Sequence, residues 1–138
     1  MVIQQNLNWW TMEAQQSSCG CRAGGKARII YACSGIGSNA GQLANAAACR
    51  LAAERSGTGS CLAGPGGNIE KPVAAGKAAD ERVVIDGCPV GCAKKILDDR
   101  GLAIDRYVVV TALGIEKTPG PAFAARELQA VVDAARKG

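Results

Sequence analysis

The sequence contains no histidine. That removes the usual zinc protease, His-based general acid and base catalysis, and Ser–His or Cys–His nucleophiles. Any transition metal would have to be held mainly by thiolates. Aromatic residues are scarce, with one Phe, two Tyr and two Trp in 138 residues. The formal charge is only +4, and no Lys/Arg run exceeds the pair Lys94 and Lys95. Neither the basic stripe nor the stacking platform of a nucleic-acid surface is present. No run approaches the roughly 18–20 apolar residues of a membrane helix, and no charged segment followed by a long apolar one opens the chain. The expectation is a cytoplasmic protein that engages neither membrane nor nucleic acid.

What is present is a chain of ordinary domain length, 48% hydrophobic, with 18 Gly and seven Cys. The glycines punctuate Ala, Val, Ile and Leu runs instead of diluting them, so a packed core is expected. An odd number of cysteines, with no export signal, argues for thiols over a disulfide framework.

Residues 1–26, rich in Gln, Asn, Ser and Gly without sustained periodicity, read as a flexible N-terminal leader carrying a Cys19-Gly-Cys21 pair. Residues 27–138 read as a single α/β domain. Arg28 to Ala32 is a short β-branched run of the kind buried in a parallel sheet. Cys33 ends it, a Gly-rich turn follows, and Asn39 to Gln42 carries helix-start residue types. That helix is expected to bury Leu43, Ala47 and Leu51 and to stop near Gly57. Thr58 to Ala63 predicts a second strand, ended by the breaker cluster Gly64 to Asn68. A helix within Lys71 to Asp80 and a strand at Arg82 to Ile85 come next. Pro89 is expected in the first turn of a helix through Cys92, Ile96 and Leu97. A strand at Tyr107 to Val110 and a last helix burying Phe123, Leu128, Val131, Val132 and Ala135 complete the order. Such alternation predicts a three-layer α/β fold: a mainly parallel four-stranded sheet with helices on both faces, flavodoxin- or Rossmann-like. In such folds ligands collect at the carboxyl ends of the strands, which is where Cys33, Asp86 and Cys88 fall.

Cys88 and Cys92 are spaced to converge across a turn into a helix, and the helix N-terminus should favour their thiolates. Cys33 and Cys61, at other strand ends about 5 Å apart in a sheet, are the natural third and fourth ligands. On spacing alone, burial of these thiols as small hydrophobes is an equal alternative. Cys49, inside the Ala-rich first helix, reads as packing. Gly35-Ile-Gly37-Ser-Asn39-Ala-Gly41 can cradle a phosphate at the helix start or can simply form a tight turn. Asp86 can orient a ligand or cap a turn.

Taken in order, Cys33-Ser34-Gly35, Gly41-Gln42-Leu43-Ala44, Cys61-Leu62-Ala63-Gly64, Gly66-Gly67, Ala79-Asp80 and Asp86-Gly87-Cys88-Pro89 with Cys92 resemble the DGC-domain family. That family is named for its Asp-Gly-Cys motif and described as candidate zinc-binding proteins with four shared cysteines. The resemblance runs from about Lys26 to Lys117. It implies Cys33, Cys61, Cys88 and Cys92 as metal ligands and Zn2+ as cofactor; an all-thiolate site also accepts an iron–sulfur cluster, which is the alternative. Pro65 departs from the pattern, standing where an aliphatic residue is expected. The leading expectation is a small metal-binding protein with a structural, sensing or metal-handling role. The alternatives are a thiol-dependent redox or sulfur-transfer enzyme using Cys88, and nucleotide or phosphate binding at the first Gly-rich turn.

Overall fold

The structure is a computed structural model that describes residues 25–137. The leader expected over residues 1–26, including Cys19 and Cys21, lies outside the described residues except for Gly25 and Lys26. The described chain runs β1 (Arg28–Ala32), α1 (Asn39–Ala53), β2 (Thr58–Gly59), α2 (Ala63–Gly66), α3 (Glu70–Ala78), β3 (Glu81–Asp86), α4 (Cys92–Asp99), β4 (Arg106–Val109), a 3-10 turn (Val110–Leu113) and α5 (Ala125–Arg136). All strand pairings are parallel, in the order β2-β1-β3-β4.

The register sorts side chains by face. Ile30 pairs with Val83 and Ala32 with Ile85, and these face α1 and α5 together with Val108. Tyr31 and Val84 point the other way, against Ala93 and Leu97 of α4 and Leu102. Strands covered on both faces need continuous apolar runs instead of alternation, as in Arg28–Ala32 and Glu81–Asp86. Each buried Leu, Ile or Val contributes roughly 1.5–3 kcal/mol relative to exposure. In α1 the buried stripe Ala40, Leu43, Ala44, Ala47 and Leu51 recurs at helical spacing. The expected three layers are therefore present.

Chain direction reverses between β1 and β3. β1 leads through α1 to β2 on one side, and β3 leads through α4 to β4 on the other. The crevice between the carboxyl ends of β1 and β3 is thus the topological switch point of the sheet, where open α/β folds place ligands.

Several elements differ from expectation. The Ser38 hydroxyl, one residue before the expected start, caps α1 by accepting from the Gly41 N–H at 3.3 Å. β2 is only two residues long. The Gly64 to Gly67 segment, expected as a breaker loop, is largely the short helix α2. Pro65 fits there because the first turn needs no N–H from it. α4 begins at Cys92 behind a left-handed Gly91, so Pro89 lies in the preceding turn and not in the helix. Phe123 precedes α5 and, with Leu128, is only partly buried against the core.

The first turn of α1 is seated by glycines. A Cβ on Gly41 would overlap the Gly35 carbonyl, and one on Gly87 would lie 2.8 Å from the backbone of Ala40 and Gly41. Main chain therefore rests on main chain at the ends of β1 and β3. Gly41→Ala and Gly87→Ala should each cost about 1–3 kcal/mol, because the obstacle is backbone that cannot rotate away. Gly37→Ala, whose Cβ would meet nothing within 4 Å, should stay within about 0.5 kcal/mol. Urea midpoints of the three variants check this.

Candidate functional site

Cys33 follows β1 directly. Its N–H continues the ladder to Ile85 O at 2.9 Å, and its half-buried side chain packs beside the α4-facing core. The turn after it is tied down by Gln42, whose Nε2 donates to the carbonyls of Ser34 and Gly35 at 3.4 and 3.2 Å. Cys88 follows β3 by one glycine and is also half-buried. Its carbonyl accepts from the Gly91 N–H at 3.2 Å, closing a turn that leads into α4. Cys92 is the first residue of α4 and is exposed. Cys33 and Cys88 thus stand at neighbouring strand ends of the switch point, with Cys92 beside them.

Asp86 organises this corner. It is 1% exposed. Its carboxylate accepts from the N–H groups of Ala93 at 2.9 Å and Lys94 at 3.0 Å, and from the Tyr107 hydroxyl at 3.0 Å. A strand-end carboxylate therefore caps α4 from outside the helix, taking donors that the first turn leaves orphaned. The cap aims the helix that carries Cys92.

That cap also changes the electrostatics expected from spacing. A helix N-terminus favours thiolates, but here the buried carboxylate already occupies it. The Cys92 thiol is pushed up, first by loss of solvation, then by Cys33, Asp86 and Cys88. The thiolate-prone Cys92 expected above does not hold for the metal-free chain. The same influences place Cys33 and Cys88 each within electrostatic reach of Cys92. Among the described residues, however, no three His, Cys, Asp or Glu side chains converge into a group able to hold a metal ion.

A long-range clamp brings a cation to the site. Asn39, 4% exposed, accepts from the Ala40 and Thr118 N–H groups at 2.8 and 2.7 Å and donates to Glu116 O at 2.9 Å. Held between Glu116 and Thr118, Lys117 places Nζ 3.4 Å from the Cys88 sulfur. Composition gave no hint of this pairing, because Lys117 is 29 residues from Cys88.

Cys61 stands apart. It is exposed between β2 and α2 and lines a cleft of about 780 Å³ that also includes Cys49, Ala48 and Ala52 of α1, Leu62 and Ile96. Cys49, expected as core packing, is exposed there instead. Its helix position lies outside the buried stripe.

The first Gly-rich turn has little left for a phosphate. The Asn39 N–H donates to Thr118 O at 3.2 Å, that of Ala40 to Asn39 Oδ1, and that of Gly41 to Ser38 Oγ. The first-turn donors of α1 are spent inside the protein, and Gly41 serves close packing.

An all-parallel α/β sheet with thiols gathered at its switch point defines the class of molecule. Its family follows from comparison with known proteins. Residues 29–135 match the DGC domain, and the chain belongs to that family. It is similar to the anaerobic and virulence modulator AnvM of Pseudomonas aeruginosa, at 35% identity over 92 residues, covering 67% of this chain and 70% of that protein. No solved structure matches. No helix among the described residues is long and apolar enough to cross a membrane.

Tyr107 offers a readout of the corner. Burial foremost, then the charge and hydrogen bond of Asp86, raise its hydroxyl to about 12 from an ordinary 10.0. A folded value above the unfolded one stabilises fully below pH 10.0, and the contribution is lost as pH rises toward about 12. Buried Tyr31 is raised as well and acts in the same direction. Stability should therefore fall across that window, and Tyr107→Phe should shallow the fall in urea titrations. An unchanged slope would separate Tyr107 from the alkaline transition.

Proposed function

We propose that this chain is a cytoplasmic metal-binding protein that takes Zn2+ through the thiolates of Cys33, Cys88 and Cys92, with Cys61 as fourth ligand. Residues 27–138 form the binding domain. The observation that carries the reading is that Cys33 and Cys88, just past the ends of adjacent strands β1 and β3, both lie within electrostatic reach of Cys92 at the start of α4. With no imidazole in the chain, the donors are uniformly soft, which suits zinc and also suits an iron–sulfur cluster. The raised Cys92 thiol fits a ligand that deprotonates when a cation arrives and neutralises its negative neighbours. A bound metal would tie α4 to β1 and β3 and screen the charges there. Four thiolates would leave no open position for substrate, which favours a structural, sensing or metal-handling role over hydrolysis. A sensing role agrees with the name of the Pseudomonas relative as a modulator.

Metal analysis by mass spectrometry on tag-free protein should find about one zinc per chain. Cys88→Ser should lower metal content and thermal stability together, because binding energy at such a site is folding energy. Unchanged metal content in that variant removes Cys88 from the site. Visible charge-transfer absorbance in the purified protein would replace zinc with an iron–sulfur cluster.

One observation favours a second reading, thiol redox or sulfur transfer: the ammonium of Lys117 against the Cys88 sulfur. In this reading the Cys88 thiolate attacks a substrate disulfide, forming a mixed disulfide and expelling one substrate thiolate. Cys92 or Cys33 then displaces the second, leaving an intramolecular disulfide and a reduced substrate. In metal-free protein, Lys117→Met should slow alkylation of Cys88 more than that of Cys33. Equal rates before and after the substitution would leave this reading without support.

A further inference from the structure

The cleft beside β2 lies to one side of the switch point and shares Cys61 with the proposed metal site. It exists because β2 pairs with β1 only at Ile29 and Ile30, and because α1 presents Ala48 and Ala52 toward that gap where larger side chains would fill it. The remaining apolar wall comes from Ile30, Ala32, Leu62 and Ile96. At about 780 Å³ it has the volume of a site that encloses a bulky ligand. No Lys, Arg, Asp or Glu lines it, although such residues make up 20% of the chain. An uncharged apolar concavity selects an uncharged apolar occupant.

The chain carries such an occupant. Its opening stretch, Met1 to Met12, contains no Asp, Glu, Lys or Arg side chain and includes both tryptophans of the protein, Trp9 and Trp10, with Val2, Ile3 and Leu7. These residues lie outside the described structure, which begins at Gly25. Trp10 is fifteen positions upstream of Gly25 (25 − 10 = 15), a connection able to span about 50 Å when extended. The cleft is much nearer than that. Ile30, part of its wall, lies five positions downstream of Gly25, about 17 Å along an extended strand. A tether with that much slack holds its end at an effective concentration on the order of millimolar.

We propose that the cleft between α1, α2 and the β2 edge is the docking site for this chain's own N-terminal segment, with Trp9 and Trp10 seated in it. In the metal-free chain, docking covers the thiols of Cys49 and Cys61 and leaves Cys92 open. The occupied cleft thereby divides the exposed cysteines into a protected pair and an accessible one. Because α2 forms one wall, the segment also bears on the peptide that carries Cys61.

The intrinsic tryptophan fluorescence of the full-length chain reports this segment alone, since every tryptophan lies in it. Native protein should emit to the blue of the urea-denatured chain and resist quenching by acrylamide. Cys49→Arg places a charge in the cleft at an exposed helix position. It should move the emission toward that of the denatured chain while far-UV circular dichroism stays unchanged. A second variant keeps the test decisive should that one misfold: in metal-free protein, Trp9→Ser with Trp10→Ser should speed alkylation of Cys49 and Cys61 several-fold and leave Cys92 unaffected, as read by peptide mass mapping. Native emission equal to the denatured chain's, or alkylation rates indifferent to the tryptophans, overturns the proposal. Protection that grows with protein concentration also overturns it, by assigning the cleft to a second copy of the chain.

Discussion

Main chain lying directly on main chain at the carboxyl end of β1 and β3 is the constraint from which the rest of this corner follows. Gly41 meets the Gly35 carbonyl, and Gly87 meets the backbone of Ala40 and Gly41. Removing the side chains there lets the first turn of α1 descend between two strand ends. That descent sets the spacing of the two turns that carry Cys33 and Cys88. The middle residue of the Asp-Gly-Cys motif is thus explained by volume, and its neighbours by what the volume permits. Interiors packed at near-crystalline density transmit such a constraint without slack.

Asp86 adds an opposing requirement. As a cap it orients α4 and engages Tyr107, and a buried carboxylate can persist only with donors of this kind. As a charge it makes the Cys92 thiolate less favourable. One residue therefore fixes the orientation of the helix that carries Cys92 while opposing the ionisation of that thiol. The cation at this corner, Lys117, is placed instead against the Cys88 sulfur. Geometry and charge balance at this site are separate contributions, made by different residues from distant parts of the chain.

Much of the fold was legible because it rests on local pattern. Arg28–Ala32 and Glu81–Asp86 are apolar runs between breakers, and the alternation of strands with Ala-rich helices admits few topologies. The placement of Cys33 and Cys88 at strand ends followed from that alternation. The misreadings share a cause, which is that tertiary contacts override residue preference. Gly64 to Gly66 is helical although glycine disfavours helices, because the segment packs on α3 so closely that a Cβ at Gly64 would lie 2.7 Å from Pro72. Pro89 is excluded from α4 because Gly91 takes the left-handed conformation and Asp86 caps from behind it. Cys49 lies outside the buried stripe of α1, a matter of rotational phase that an alanine-rich helix leaves open. Asn39 had the look of a helix-start residue. Its grip on Glu116 and Thr118, 77 and 79 residues away, has no local signature.

The sequence distance of that grip has a consequence for folding. A grip that spans 77 and 79 residues cannot form until the whole of that stretch is free to fold, and contacts of such range close late. Until it closes, Lys117 is not held beside Cys88. A chain short of this contact therefore presents the Cys88 sulfur without its lysine neighbour.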